Sequence, residues 1–582
     1  MTPSGLTWLP RVAAALTALA ALGAISGAGA RWPLVTELAG LAALLALGTL
    51  TWQRLLRGPR PSTLEQALAL GGGLALALAT LVGGRAASVH PPLEAVCRRM
   101  ALASGLLVLV ALGALAALPR LRTWWGEGVR GQAPGPAPST AGIAGRALVV
   151  VAWLVIHLPA LVVLPPLLQP DSSTNAVEPP LLTAAGLPNH HPPLYPELIR
   201  GACAATSILV GLTGVVLLQH LAVLMVALLL EDLVRRVSGD RWVAAVAGVL
   251  VAIDATLLAY AQLIMSEALA MGFLTAAVVA LGRAERAARP ASLLLAAGAC
   301  AALATLTRQV AQAWFLLASA WVLLSPLVPR ARALAALLAA ALAPLLLMMA
   351  HNYVFLGRAS LSASWGRSLT ARLVIDMPRA SHASPDPELE RARSLIWRDR
   401  EALVWGPIHQ SLREELGWDD ARIAGAVQRL FLAQVRAHPL VFLESTLSGA
   451  WQILSHSERL SDLVAYHDRV RPHALQGWQM LPDVGPIPGW VPLLDPLAVT
   501  HTWPLLLLAA CAPCLARGGA RRLALLAICS AGYLVLIPAL VEQPLPRYRL
   551  SAVPYLALAA ALGLAGLHER LQGSGAANAA PG

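Results

Sequence analysis

Five charged residues stand at the ends of long apolar runs, where a side chain would meet both membrane and water. They are Asp171, Glu267, Arg308, Arg547 and Arg549. Charged groups at the edge of a membrane are costly and are candidates for function. A carboxylate there stays ionised and can act as a base, while the planar guanidinium group binds a phosphate through two parallel hydrogen bonds. These residue types predict a site for a membrane-embedded substrate that carries a phosphate.

Each of these residues also has a purely structural interpretation. An isolated acid after an apolar run marks the end of a helix, and an arginine at a helix end extends its charged head into water. The structural interpretation is weaker for Arg308 and Arg547, because the other short loops on their side of the membrane contain few arginines. Two acids and three arginines on one side therefore favour a functional site.

Four further polar residues are candidates for substrate binding. His190, His191 and Tyr195 lie in the run His-His-Pro-Pro-Leu-Tyr-Pro of the loop 169–202, and Tyr548 lies between two of the arginines. The histidines are alternative bases or substrate contacts, with packing beside the prolines an equal alternative. Tyr195 fits a contact to the substrate and an interfacial aromatic anchor about equally. Adjacent histidines suit chelation poorly, so no metal or other cofactor is predicted, and the need for a divalent metal stays open.

The composition identifies the membrane as the environment of the chain. Of its 582 residues, 57% are hydrophobic and 13% are charged, whereas soluble domains have about 45–50% and 25%. All 43 basic residues are arginine, and with 31 acidic residues they give a formal net charge of +12. A nucleic-acid-binding protein would gather its basic residues on one polar module. Here they form short groups between apolar runs, which excludes a nucleic-acid partner and predicts an all-α polytopic membrane protein in contact with membrane lipids.

Fourteen apolar runs are long enough to cross a hydrocarbon core of about 30 Å. They are residues 8–28, 34–53, 66–84, 100–118, 147–168, 203–229, 242–260, 265–282, 292–306, 310–327, 333–350, 501–516, 523–541 and 550–567. The groups of arginines alternate with them, and the positive-inside rule places most of these groups in the cytoplasm. The loops 169–202 and 351–500 then lie on the outer face, and both termini are cytoplasmic.

The same pattern predicts five segments. They are an N-terminal four-helix membrane unit (1–118), a Pro/Gly-rich cytoplasmic linker (119–146), a transmembrane core with the outer loop 169–202 (147–350), an outer segment (351–500), and C-terminal transmembrane helices with a tail (501–582). Within the outer segment we expect mainly soluble helices, for instance one that opens after Trp418-Asp419-Asp420, where aspartate can cap the first turn. Residues 439–455 are predicted to lie in the membrane interface.

The ordered set of candidate residues resembles a known family. An acid after the first core helix, His-His-Pro-Pro-Leu-Tyr-Pro at 190–196, Ser266-Glu267, Leu306-Thr307-Arg308 and Arg547-Tyr548 look like the GT-C glycosyltransferases. The resemblance points to the family 39 branch, which includes protein O-mannosyltransferases and the lipid A aminoarabinose transferase. It covers roughly residues 146–570. Each motif is short, but their order over several hundred residues is much more specific.

This resemblance implies an inverting enzyme of the bacterial cytoplasmic membrane, with its active site on the periplasmic face. It implies that a polyprenyl-phosphate carrier donates a sugar to a lipid, glycan or protein acceptor. In the family pattern Asp171 is the catalytic base, Glu267 is a second acid, and Arg308, Arg547 and Arg549 stand where the carrier phosphate binds. Asp171 is followed by serine, whereas protein mannosyltransferases usually have glutamate there. This departure weakens the expectation of a protein acceptor.

Three other functions fit part of the pattern. A polysaccharide ligase or polymerase would share the outer-facing site and take a lipid-linked oligosaccharide as donor. A lipid or solute transporter needs ionisable groups near the middle of the membrane, and the candidates there are His157, Gln219 and His220. A non-catalytic assembly subunit would have no reason to keep Asp171, Glu267 and Arg308 together.

Overall fold

The computed structural model describes most of the chain from residue 140 onward. The described residues are 140–169, 172, 191–205, 207–326, 330–356, 359, 361, 365–376, 384, 386–400, 405–456, 458–470, 481–482, 484–500 and 502–578. They are predominantly helical, and the isolated β-bridge among them joins Leu167 and Leu263. Alanine and leucine favour helix, and a helix satisfies its own backbone hydrogen bonds inside a lipid bilayer.

Among the described residues, nine α-helices begin before the predicted outer segment. They are α1 (Thr140–Val163), α2 (Leu194–Ala205), α3 (Ile208–Ser238), α4 (Arg241–Ala252), α5 (Ala255–Gln262), α6 (Glu267–Ala284), α7 (Pro290–Thr307), α8 (Trp314–Leu324) and α9 (Arg330–Leu356). A short 3₁₀ helix, Gln309–Ala311, lies between α7 and α8. The axes of α4 and α5 differ by 45°, and Asp254 caps the start of α5 at this bend by accepting a hydrogen bond from Leu257 N (2.8 Å).

Ten helices follow. They are α10 (Trp365–Asp376), α11 (Pro387–Arg398), α12 (Trp405–Leu416), α13 (Asp420–Ala437), α14 (Pro439–Ser455), α15 (Leu460–Val470), α16 (Val491–Thr500), α17 (Thr502–Leu515), α18 (Gly518–Val541) and α19 (Val553–Asn578). A second 3₁₀ helix, Pro546–Ser551, lies between α18 and α19. Helices α10 to α13 share an apolar core of their own. Asp419 caps α13 as predicted, accepting a hydrogen bond from Arg422 N (2.7 Å).

Six of the described helices are long and apolar enough to cross a membrane, namely α1, α3, α6, α7, α9 and α18, and the bent pair α4 and α5 makes a seventh if it is one span. The prediction of a polytopic helical membrane protein is therefore confirmed. The predicted number of fourteen spans is not shown, because the first four lie outside the described residues. Helices α8, α17 and α19 occupy most of the described residues of the predicted spans 310–327, 501–516 and 550–567, but they do not count among the six.

The chain divides into two compact units. The larger unit comprises residues 127–321 and 337–582 and contains every described residue of the candidate site. Of the smaller unit, the structure describes residues 322–326 and 330–336, which belong to the end of α8 and the first turns of α9.

Small residues allow the helices of the larger unit to pack closely. A Cβ atom added to Gly298 of α7 would lie 2.3 Å from the carbonyl oxygen of Leu337 in α9, and one added to Gly566 of α19 would lie 2.4 Å from that of Leu515 in α17. Only glycine permits such an approach, and small residues are what membrane helices use where their backbones meet. This packing fixes the positions of the helix ends that carry the candidate site.

Candidate functional site

The site is built around an ion pair between the start of α6 and the end of α7. Glu267 is the first residue of α6 and Arg308 is the first residue after α7, and the two helices are joined by a short connection, so these ends lie together. Arg308 Nη1 lies 2.7 Å from Glu267 Oε1 and 3.5 Å from Ser266 Oγ. The side chain of Glu267 is 1% exposed and that of Arg308 is 15% exposed. A predicted acid and a predicted arginine thus form one buried pair.

The second part of the site comes from the 3₁₀ helix between α18 and α19. The ring of Tyr548 contacts two guanidinium groups, with its centroid 5.3 Å from Cζ of Arg308 and 5.5 Å from Cζ of Arg547. Its hydroxyl group donates a hydrogen bond to the Glu542 carboxylate, which also accepts one from Ser368 Oγ (2.8 Å). Burial, followed by the charge of Glu542, raises the pKa of Tyr548 well above its ordinary value. The phenol therefore stays protonated as a donor, and its ring links the two arginines.

The segment that leads to Asp171 starts beside the segment that leads to Glu267. Leu167 and Leu263 form a parallel bridge, in which Leu167 N donates to Gln262 O and Ile264 N donates to Leu167 O, both at 3.0 Å. Asp171 comes four residues after Leu167, and Glu267 comes four residues after Leu263. Asp171 and His190 themselves lie outside the described residues.

Two further predicted residues precede α3. Tyr195 is buried in α2 and donates a hydrogen bond to Gln219 Oε1 at 2.7 Å. Burial raises the pKa of the Tyr195 phenol, and the charge of Glu267 raises it further, which places this ring near the ion pair. Since Tyr195 is buried in protein, the structure does not show it as an anchor exposed to the interface. His191 is partly exposed three residues before α2 begins.

Arg549 contacts a different part of the protein from the Tyr548 ring that Arg308 and Arg547 share. Its side chain is 1% exposed, and its Nη2 donates a hydrogen bond to Thr256 Oγ1 at 2.9 Å. Burial lowers the pKa of Arg549, and the charge of Asp254 opposes this effect. Both partners belong to the first turn of α5 and its cap. Arg549 therefore attaches the second 3₁₀ helix to the bend between α4 and α5.

The sequence analysis did not select Glu542, Tyr260 or Glu458, each of which forms a side-chain hydrogen bond. Glu542 binds Tyr548 as described above, and Tyr260 of α5 donates a hydrogen bond to Glu458. Glu542 follows an apolar run directly, so the rule that selected Asp171 would also have found it. Tyr260 and Glu458 are 198 residues apart, and no local pattern relates them. Among the described residues, no cluster of three His, Cys, Asp or Glu side chains could hold a metal ion.

Comparison with known proteins gives a distant likeness in fold. No protein-family model and no curated protein matches the chain. The archaeal oligosaccharyltransferase AglB from Archaeoglobus fulgidus, solved with an inhibitory peptide and a dolichol-phosphate, is 14% identical with a TM-score of 0.34, and the match covers 76% of this chain and 52% of that one. ArnT from Cupriavidus metallidurans, bound to undecaprenyl phosphate, is 14% identical with a TM-score of 0.27, covering 75% and 79%. The chain spans about half the length of AglB.

Proposed function

We propose that the protein is an inverting glycosyltransferase of the GT-C type, which moves a sugar from a polyprenyl-phosphate carrier to an acceptor on the outer face of the bacterial cytoplasmic membrane. The observation that supports it most is the buried pair of Glu267 and Arg308 with Tyr548 and Arg547 beside it. Two guanidinium groups that share one aromatic ring lie close together at the ends of apolar helices, with the carboxylates of Glu267 and Glu542 beside them. This is where the phosphate of a membrane-embedded carrier would bind.

The contacts of Arg308 leave part of its guanidinium group available. Its hydrogen-bond and ion-pair contacts with described residues all use Nη1. The edge formed by Nε and Nη2 is the edge that binds a phosphate in the two-bond geometry. Glu267 then serves to orient Arg308, and the arginine delivers its other edge to the carrier phosphate.

The proposed reaction breaks the bond between the anomeric carbon of the sugar and an oxygen of the carrier phosphate. The bonding electrons pass to the phosphate, whose negative charge Arg308 and Arg547 stabilise. The acceptor oxygen bonds to the anomeric carbon from the opposite face, which inverts its configuration, and the acceptor proton passes to Asp171. Asp171 has an intrinsic pKa near 4 and would take the proton late, when the acceptor oxygen has become acidic.

A transporter is the second candidate, and the bent pair α4 and α5 favours it. Beside the bent pair, His157 Nδ1 lies 2.7 Å from His220 Nδ1, and His220 Nε2 lies 2.9 Å from Oε1 of Gln262, the last residue of α5. Broken helices with polar groups occur in transporters. Helix–helix hydrogen bonding explains these contacts as well.

Purified full-length protein should transfer sugar from a polyprenyl-monophosphate monosaccharide to a lipid or glycan acceptor, with inversion at the anomeric carbon. The measurement is single-turnover transfer with labelled donor, run beside a lipid-linked oligosaccharide and beside a lipid-translocation assay in liposomes. Transfer from the oligosaccharide alone would identify a ligase or polymerase. Translocation without transfer would identify a transporter.

The location of the site gives an independent prediction. Reporter fusions within 351–500 should show a periplasmic position, and fusions after residues 236 and 286 a cytoplasmic one, because arginines accumulate on the cytoplasmic side. Fusions within 351–500 that read as cytoplasmic would place the acid–arginine site on the wrong face for a periplasmic reaction.

A further inference from the structure

A second charged cluster lies at the other end of α6. Asp232, in the last two turns of α3, accepts hydrogen bonds from four arginines: Arg146 (3.0 Å), Arg235 (2.7 Å), Arg236 (2.6 Å) and Arg283 (2.6 Å). Sixteen residues separate Glu267 from Arg283, which is about 24 Å along a helix. The cluster is therefore distinct from the proposed active site, and nothing in the proposed reaction uses it.

The charges of this cluster do not balance. Within the part of the chain that the structure describes, Glu231 is the other acid in contact with it, 3.3 Å from Nε of Arg146 and 3.3 Å from Nε of Arg235. Four guanidinium groups against two carboxylates leave a surplus of two positive charges. The four side chains bring 20 N–H donors in total, many more than two carboxylates can accept. The surplus donors need water or an anion.

The cluster is partly buried and partly open. The side chains of Asp232 and Glu231 are buried, whereas those of Arg146 and Arg236 are 51% and 57% exposed. Arg283 Nε is buried and donates no hydrogen bond to any described residue. A buried donor of this kind costs free energy unless an acceptor reaches it. The two carboxylates thus hold several guanidinium groups together. They do not supply an acceptor for every buried N–H group of these arginines.

The surroundings of the cluster match the boundary of a membrane. Trp242, beside the end of α3, is 79% exposed, and tryptophan concentrates at the level of the lipid headgroups. The exposed apolar side chains of Leu148, Val151 and Val155 lie on the face of α1 opposite to Arg146, so α1 meets lipid directly beside the cluster. An anion at Arg146 and Arg236 would therefore lie at the level of the lipid headgroups.

We infer that the arginine cluster around Asp232 is a binding site for the phosphate group of an anionic phospholipid. The guanidinium groups supply hydrogen bonds to the phosphate oxygens, and the surplus positive charge selects lipids with a net negative charge. Basic pockets between membrane helices have this preference for acidic headgroups. The phosphate completes the hydrogen bonds of the arginines.

The test is binding of phosphatidylglycerol, phosphatidylcholine and inorganic phosphate to the full-length protein in detergent, measured by native mass spectrometry. Phosphatidylglycerol should bind more tightly than phosphatidylcholine. Arg146→Gln and Arg236→Gln should each weaken its binding about tenfold, as expected for the loss of one charge-assisted contact. Arg236→Lys, which keeps the charge, should weaken it less.

The matched control is Arg241→Gln, which removes an exposed arginine near the same end that makes no contact with Asp232. It should leave lipid binding almost unchanged. An equal loss of phosphatidylglycerol binding in Arg241→Gln would show that the lipid is attracted to a charged surface in general. Wild-type binding by Arg146→Gln and Arg236→Gln would exclude the cluster as the binding site. Binding of inorganic phosphate without phosphatidylglycerol would indicate a site for a soluble anion. Each of these three results overturns the inference.

Discussion

Replacing Asp171 by asparagine should lower the rate of sugar transfer by about 10²–10⁴-fold, the usual effect of losing a positioned base. Asparagine has nearly the same shape and keeps a hydrogen-bonding group, but it cannot accept the proton of the acceptor. Binding of the carrier should change much less, because Arg308 and Arg547 remain. The measurement is single-turnover transfer from a purified polyprenyl-phosphate sugar, together with the dissociation constant of the carrier.

Two variants make this result specific. Ser172→Ala is the structural control. Ser172 follows Asp171 in the sequence, and its Oγ accepts a hydrogen bond from Gln169 N (2.9 Å), so its loss disturbs the same turn and leaves the carboxylate in place. It should reduce transfer far less than Asp171→Asn does. Glu267→Gln tests the alternative base. Near-normal transfer by Asp171→Asn with an inactive Glu267→Gln would show that the base has been misassigned. Near-normal transfer by both would contradict the proposed mechanism.

The sequence alone predicts the helical membrane fold well, because the thickness of the hydrocarbon core sets the length of each apolar run. The runs 265–282 and 292–306 agree with α6 and α7 to within two residues at either end. Their connection is short, so the antiparallel arrangement follows, and with it the proximity of Glu267 and Arg308. The same reasoning missed the bend between α4 and α5. The run 242–260 is apolar except for Asp254, and the break depends on this single aspartate, which caps a new helix.

Side-chain directions near the ends of the spans were less predictable. Arg547 and Arg549 are two residues apart, and a sequence pattern treats them as one cationic cluster. The structure has a 3₁₀ helix there, with about three residues per turn, so residues two apart point about 120° away from each other. Arg547 faces Tyr548 and the site, whereas Arg549 turns inward to Thr256. Choosing between these directions requires the local backbone, which composition and spacing do not specify.

The buried pair of Glu267 and Arg308 leads to the second large effect. Arg308→Gln removes the cation and leaves a carboxylate that is 1% exposed. Breaking a buried pair on one side typically costs about 3–5 kcal/mol. We expect a lower free energy of unfolding, seen as a lower Tm in detergent, and a loss of transfer. This single variant does not separate a structural role of Arg308 from a role in binding the carrier phosphate.

The double variant Arg308→Gln/Glu267→Gln makes that separation. Two amides can bond to each other without charge, so most of the lost stability should return. If Arg308 binds the carrier phosphate, carrier affinity should stay about 10–100-fold below wild type, because a charge-assisted contact is still missing. Arg308→Lys should keep part of the affinity, since lysine carries the charge but lacks the planar fork.

Arg522→Gln is the matched control for this prediction. Arg522 Nε lies 3.0 Å from Glu285 Oε1, both side chains are 8% exposed, and the pair lies at the opposite end of α6. Its loss should lower stability in the same way but leave carrier affinity per folded molecule unchanged. If the double variant instead recovered wild-type carrier affinity along with its stability, Arg308 would be only the counter-ion of Glu267. The carrier phosphate would then have to be bound by Arg547 without a contribution from Arg308.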